Sequence, residues 1–455
     1  MSTKQARVLQ TTFSLAGAGL LVLAAAACAP EPGTTSTADG TLQWGSCDEF
    51  VKTNNEVAAL IGTAPIDKST AKRMSCATLD VPLDYGKPEG KTIPIAVSKL
   101  EAKGNPNGRV VFTNPGGPGL EGRTFPALIE SSDMAALGEE STLVGIDVRG
   151  TGGSAFIDCA APELDPSNMP ERATLISTIE KSNAKCVDQD PAFFEQLTTQ
   201  NAAKDLDALR SAMNLSKVDY FGVSWGTELG VEFMSSFPGS VDRVLLDSVS
   251  DIRQQSESSL FDVVEATLKF APNEAAGGTP QEGTAEEDVV VEDDVVIEED
   301  SETADTSMPE ISDEALEMMS RFSGQSAKTA LICNAYADAA DQTLQQQFLQ
   351  NRIATLGEQG GIRPQHPISL TSDVSICAGW PFAPAQISAT KQAGPTLQIV
   401  AHASEIVTPL AWAEHAQQQL GGDLLVLKDG NHGSLASGPA ATQGAEFLLT
   451  GTPMK

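Results

Sequence analysis

The pentapeptide GVSWG, Gly222–Gly226, constrains what this chain can fold into more than any other short stretch. It closes an apolar run, VDYFGV, and opens a helix-like run, TELGVEFMSSF. A strand that turns straight into a helix through one serine leaves little room two residues to either side, which is where the glycines stand. Such a turn lifts the Ser224 hydroxyl above the end of a sheet, where it can act as a nucleophile. GxSxG alone is a weak signal, because glycine and serine are common. The strand before it and the helix after it favour a nucleophilic Ser224 over a merely structural turn.

The rest of the chain repeats this alternation. Apolar runs that read as strands are Ile93–Val97, Arg109–Thr113, Leu143–Asp147, Val218–Val223, Val241–Asp247, Leu397–Ala401 and Leu424–Leu427. Several are rich in valine and isoleucine, as parallel strands buried on both faces are. Helical patterns such as Asn201–Met213 and Thr227–Ser236 lie between them. Strand alternating with helix predicts an α/β architecture with a mostly parallel sheet.

The rhythm breaks between residues 250 and 393. Gln254–Phe270 and Asp313–Leu356 are helical in composition. Between them, Ala271–Ser320 contains no lysine or arginine, and EEDVVVEDDVVIEED sets acidic triplets six residues apart. A calcium site is one reading of such a run. The stretch lacks the glycine and the ligand alternation of an EF-hand loop, so a solvated, self-repelling insertion is the expectation.

That run accounts for much of the formal net charge of −32. So acidic a chain would be repelled by a phosphate backbone, which argues against a nucleic-acid partner. It argues equally against a polybasic membrane contact. Lys4 and Arg7 precede an apolar stretch from Leu15 to Ala27, too short to span a bilayer comfortably, which reads as an export signal. Ala25–Ala27 before Cys28 resembles a lipobox, with Cys28 as a lipidation site. Ordinary cleavage after Ala27 is the alternative. APEPGTTSTADG then suits a flexible tether.

Seven cysteines are present; with Cys28 set aside, six remain, an even set that an exported protein can oxidise. Neighbours in sequence suggest Cys47–Cys76, Cys159–Cys186 and Cys333–Cys377 among the 15 possible connectivities. Four histidines and no CxxC spacing argue against a metal site, and no cofactor motif is present.

Around Ser224 the remaining chemistry can be assembled. NPGGPG, Asn114–Gly119, directly follows the strand RVVFT, and its backbone N–H groups are suited to holding an oxyanion. The expected pair is the N–H of Gly117 with that of Trp225. A plain Pro-Gly turn is the lesser reading. Of the four histidines, His432 in DGNHGS lies in the loop after the last strand, at the sheet edge where active-site groups gather. His366 lies between prolines, His402 ends a strand, and His415 falls on a helix. The acid should lie between serine and histidine in the chain. Glu405 follows one strand and Asp247 ends another; Glu405 is preferred and Asp247 remains the rival.

Five segments together resemble the tripeptidyl aminopeptidase and proline iminopeptidase branch of the α/β-hydrolases, in particular its secreted or lipoprotein members from actinobacteria. They are CATLDVPLDYGKPEG at 76–90, NPGGPG at 114–119, DVRGTGGS at 147–154, GVSWGTELG at 222–230, and EIVTPLAWA at 405–413 with NHG at 431–433. The resemblance implies an α/β-hydrolase fold with a helical lid inserted before the last two strands. It also implies Ser224 as nucleophile, His432 as base and residue 405 as acid, with Asp147 and Arg149 fixing a loop. Three departures from the family pattern stand out. Glu405 stands where aspartate usually opens a DxxTP motif. Leu120 and Glu121 follow the glycine loop where serine is common, and Glu228 replaces an aromatic residue after the elbow. Peptidases of this branch hold the substrate's free amino terminus with acidic groups, a role open to Glu121 or Glu228 beside local packing or a solvent-facing charge.

The expected organisation is a signal peptide over 1–27, a tether over 28–41, and a first core part over 42–250. A lid follows over 251–392, with its acidic insertion near 272–312, and a second core part over 393–455. The expected function is that of an exported serine exopeptidase acting on peptides, attached to the outer face of a membrane if Cys28 carries lipid. A carboxylesterase or lipase with the same triad is the alternative, and a non-catalytic binding protein is a third class.

Overall fold

The computed structural model describes residues 42–455 except 62, 106, 160–171, 256–258, 260–261, 264, 267–268, 271–324, 337–375, 434, 436–437 and 439. The expected signal peptide, Cys28, the tether, the acidic insertion and His366 therefore lie outside the described residues.

Nine strands form one sheet among the described residues. They are β1 (Gly45–Ser46), β2 (Met74–Pro82), β3 (Thr92–Leu100), β4 (Arg109–Asn114), β5 (Ser141–Ile146), β6 (Val218–Val223), β7 (Val241–Asp247), β8 (Thr396–His402) and β9 (Asp423–Leu427). Their order is β1-β2-β3-β5-β4-β6-β7-β8-β9. The first three strands pair antiparallel, as does β3 with β5; every later pairing is parallel. Chain order reverses where β4 crosses to lie between β5 and β6. That switch point opens a crevice at the carboxyl ends of β4 and β6, the place where open parallel sheets bind ligands.

Every residue of β5 and β6 is buried, which is why these segments read as continuous apolar runs. Their side chains feed two cores in alternation. Tyr220, Val244 and Leu246 join Leu206, Leu229 and Phe233 from the helices Thr199–Ala212 and Trp225–Ser236 on one face. Phe221, Val223 and Leu245 join Phe125, Ile129 and Phe447 from the helices Phe125–Glu130 and Ala441–Thr450 on the other. The fold is that of a mostly parallel sheet covered by helices on both faces, as expected.

Strands β6 and β7 have the expected bounds, and the other five expected strands differ by one to three residues at their ends. The sequence reading had no separate strand at Gly45–Ser46 and carried Met74–Pro82 only through a family likeness. The latter is a full antiparallel partner of β3 from Met74↔Leu100 to Pro82↔Thr92. Of the two helical stretches expected between β7 and β8, the described parts are helical at several positions of 259–270 and over Gln325–Cys333.

Disulfides join Cys47 to Cys76, Cys159 to Cys186 and Cys333 to Cys377, the pairing of sequence neighbours. Such bonds belong to proteins folded in an oxidising compartment outside the cytoplasm. Among the described residues no helix is long and apolar enough to cross a membrane.

One buried ion pair anchors the loop after β5. Arg149 is fully buried and grips Asp205 with two hydrogen bonds, of 2.7 and 2.8 Å, while donating to the carbonyls of Leu83 and Gln196. Tyr85 donates a further hydrogen bond, of 2.8 Å, to Asp205. Removing one partner strands the other charge in the core. Arg149→Leu should therefore lower unfolding free energy by about 3–5 kcal/mol, read as a lower urea midpoint. The double change with Asp205→Leu should recover part of that loss.

Candidate active site

Ser224 stands at the carboxyl end of β6, one residue before the helix Trp225–Ser236. Its backbone has φ 56° and ψ −128°, a conformation that costs an L-residue energy and that only a tightly held turn maintains. The turn is held from several sides. The Ser224 amide donates to the Asp247 carbonyl at 3.0 Å, and the Ser224 carbonyl accepts from the Thr227 amide and hydroxyl at 2.8 and 2.6 Å. A Cβ at Gly222 would fall 2.3 Å from the Gly226 carbonyl oxygen, so the strand and helix approach closely enough to exclude any side chain there.

The glycine loop packs directly against this turn. A Cβ on Gly116 would lie 2.4 Å from the Val223 carbonyl and 3.0 Å from both Ser224 Cβ and the Trp225 amide nitrogen. Gly116, Gly117 and Gly119 all have positive φ, between 92° and 110°, which explains why the loop needs glycines. The loop carrying Gly117 thus lies beside Ser224 and the first amide of its helix.

The histidine and acid arrive from the far edge of the sheet. His432 follows β9, and its Nδ1 hydrogen-bonds Glu405 Oε1. The buried Glu405 carboxylate is fixed by further donors. Oε1 accepts from the Thr408 amide at 3.1 Å and from the Thr408 hydroxyl, and Oε2 accepts from Ser248 Oγ at 2.9 Å. Gly433, next to His432, packs on Val223, next to Ser224: a Cβ there would come 2.4 Å from Val223 Cγ1. Serine, imidazole and acid therefore converge on one edge of the sheet.

Asp247 faces a different histidine. Its Oδ1 is 3.1 Å from His402 Nε2 and its Oδ2 accepts the Leu435 amide at 2.9 Å. Of the two acids left open by the sequence, Glu405 is the one bonded to His432. His415 lies on the helix Leu410–Leu420, bonded to Gln419 at 3.1 Å. Of the two residues that hold the acid, Thr408 is the threonine of the EIVTP segment, whereas Ser248 has no signal in the sequence beyond its neighbours.

The two carboxylates considered for a substrate amine are both buried. Glu121 lies 3.8 Å from Arg123, which in turn bonds Asp147 at 2.6 Å. Glu228 has neutral partners, accepting from Thr199 Oγ1 and Gln254 Nε2, each at 2.8 Å. Burial pushes the Glu228 carboxyl up to about 7, with the two hydrogen bonds pulling the other way. Among the described residues no group of three or more His, Cys, Asp or Glu side chains is arranged to hold a metal ion.

A parallel sheet with an elbow serine, a glycine loop against it and a His–acid pair from later loops defines an α/β-hydrolase, and the chain has that fold. A family model described as TAP-like protein matches residues 368–455. A tripeptidyl aminopeptidase of Streptomyces lividans is 36% identical over 197 residues, covering 40% of this chain and 36% of the relative. Serine protease Hip1 of Mycobacterium bovis is 33% identical over 208 residues, covering 43% and 38%. Carboxylesterase B of Mycobacterium tuberculosis is 29% identical over 219 residues, covering 44% and 38%. The matched stretches span well under half the length of these curated relatives.

Proposed function

We propose that the chain is an exported serine exopeptidase that releases short peptides or single residues from peptide amino termini. The observation that carries this reading is the strained Ser224 turn beside a His432–Glu405 pair. His432 Nδ1 is engaged by Glu405, so Nε2 is the nitrogen left to take the proton of Ser224. Ser224 Oγ attacks the substrate carbonyl, and the amides of Gly117 and Trp225 stabilise the oxyanion. The C–N bond breaks as His432 returns the proton to the leaving amine, and an ester on Ser224 remains. Water, deprotonated by the same imidazole, then attacks that ester, releasing the acid and restoring the serine. A lipid on Cys28 would hold the enzyme at the outer face of a membrane, where peptide substrates arrive.

Glu228 is the better candidate for the substrate's ammonium group. Glu121 already has a guanidinium near it, whereas the hydrogen-bond partners of Glu228 are neutral. A cation beside Glu228 would offset the burial that raises its pKa. The carboxyl is ionised above about 7 and neutral below it. The KM for free-amine peptides should therefore rise as pH falls through 7, and Glu228→Gln should remove that dependence.

Steady-state cleavage of one short peptide with a free and with a blocked amino terminus tests the reading. Preference for the free amine supports it. Hydrolysis of nitrophenyl esters with neither peptide cleaved would favour a carboxylesterase, the reading supported by the likeness to carboxylesterase B.

A further inference from the structure

A second acid–base cluster lies beside the first, across the carboxyl ends of β7, β8 and β9. Asp247 ends β7, His402 ends β8, and Asp429 follows β9 by two residues. His402 Nε2 is 3.1 Å from Asp247 Oδ1, and Nδ1 is 2.5 Å from Asp429 Oδ1. The His402 and Asp247 side chains are fully buried. An ionised carboxylate can only accept a hydrogen bond. With a carboxylate oxygen on each ring nitrogen, both nitrogens must carry protons, so the ring bridges as an imidazolium.

The same two aspartates hold the loop that carries His432. Asp429 Oδ1 accepts the Asn431 amide at 3.1 Å, and Asp247 Oδ2 accepts the Leu435 amide at 2.9 Å. Between these points the Gly433 amide donates to Ser248 Oγ at 2.8 Å, and Ser248 in turn donates to Glu405. His432 thus lies between gripped amides on both sides. His402 is the link joining the two grips, because one end of its ring meets each aspartate.

We propose that His402 is a positioning residue: its imidazolium, shared by Asp247 and Asp429, locks the 429–435 loop so that His432 meets Ser224, and loss of its proton unlocks the loop. This rests on reading Ser224, His432 and Glu405 as the catalytic set. The charged groups facing the ring are Asp247 from β7 and Asp429 from the loop after β9. Glu405, on the loop after β8, is engaged by His432, Thr408 and Ser248. Burial by itself would pull the imidazole's pKa down, but the two carboxylates outweigh it and push it up to about 9. Below that pH the cation donates to both aspartates. Above it a neutral ring donates to one and turns a lone pair toward the other.

The test is the rate at which a fluorophosphonate probe labels Ser224 as a function of pH, which requires no known substrate. A titration centred near 9 should make the wild-type rate at pH 10 about one tenth of that at pH 8. In Asp429→Asn the amide can accept from a protonated ring or donate to a neutral one, so the ratio of the two rates should return toward one. His402→Gln has one donor and one acceptor and strands a carboxylate, so its labelling should slow about 10–100-fold at neutral pH. An Asp429→Asn protein whose alkaline fall matches wild type would overturn the proposal, even if His402→Gln does not fold. Wild-type labelling that does not fall between pH 8 and pH 10 would overturn it as well. Absence of labelling at every pH is a separate result, one that removes the serine mechanism itself.

Discussion

Replacing Ser224 with alanine should lower kcat by about a million-fold, with the thermal midpoint little changed. The loss is that large because, in the proposed mechanism, the hydroxyl oxygen is the atom that forms the covalent intermediate. The turn should survive, because it is held by backbone bonds from Ser224 to Asp247 and Thr227 and by glycine packing, not by the hydroxyl. His432→Ala should cost about as much, and the double variant should be no worse than either single one, because serine and imidazole act as one unit. Single-turnover measurements on a peptide with a free amino terminus read all three. An alanine variant retaining even a hundredth of wild-type turnover would exclude Ser224 as the nucleophile.

Glu405→Gln should reduce kcat by about 10⁴-fold and leave KM nearly unchanged. The change keeps the volume but alters which atom faces the imidazole. Thr408 donates twice to Oε1 and Ser248 donates to Oε2, so both carboxylate oxygens are required as acceptors. A carboxamide must turn its NH₂ toward either the histidine or Ser248. If it faces His432, the ring's proton is forced onto Nε2, and the nitrogen needed as base is already occupied. If it faces Ser248, that hydroxyl must stop donating to the acid and accept instead. Asp247→Asn should cost far less, since an amide there can accept from Leu435 while donating to a neutral His402. Rates of the two variants side by side decide which acid serves the histidine; the reverse order would reassign that role to Asp247.

The sequence showed most of the sheet because its central strands are buried on both faces and read as unbroken apolar runs. The glycine spacing around Ser224 was legible for a steric reason, since no other residue fits where Gly222 and Gly116 pack. Met74–Pro82 was harder to see. It lies toward the antiparallel edge of the sheet, its burial alternates, and Ser75, Thr78 and Asp80 interrupt its apolar character. The choice between Glu405 and Asp247 could not be made from the chain alone. Both follow strand ends, and β7 and β8 are neighbours paired as far as Asp247↔Val400, so both carboxylates reach the same layer. What separates them is that the loop after β9 brings His432 to Glu405, whereas Asp247 meets His402 at the end of β8, a matter of three-dimensional register. His402 was visible only as a histidine ending a strand; its bridging of two aspartates follows from adjacent parallel strands placing their last residues side by side.

The pairing of β7 with β8 also bears on how such a molecule can diversify. Residues 248–395 leave the carboxyl end of β7 and return at the amino end of β8, its parallel neighbour, so one strand pair fixes both points of attachment whatever is spliced between them. Doubling the length of such an excursion adds only about 0.6 kcal/mol of closure entropy. That stretch can be lengthened, shortened or swapped while Ser224, Glu405 and His432, carried by the sheet and the loops after its strands, keep their spacing. The inserted stretch and the groups mounted on the sheet can in this way change independently within one polypeptide.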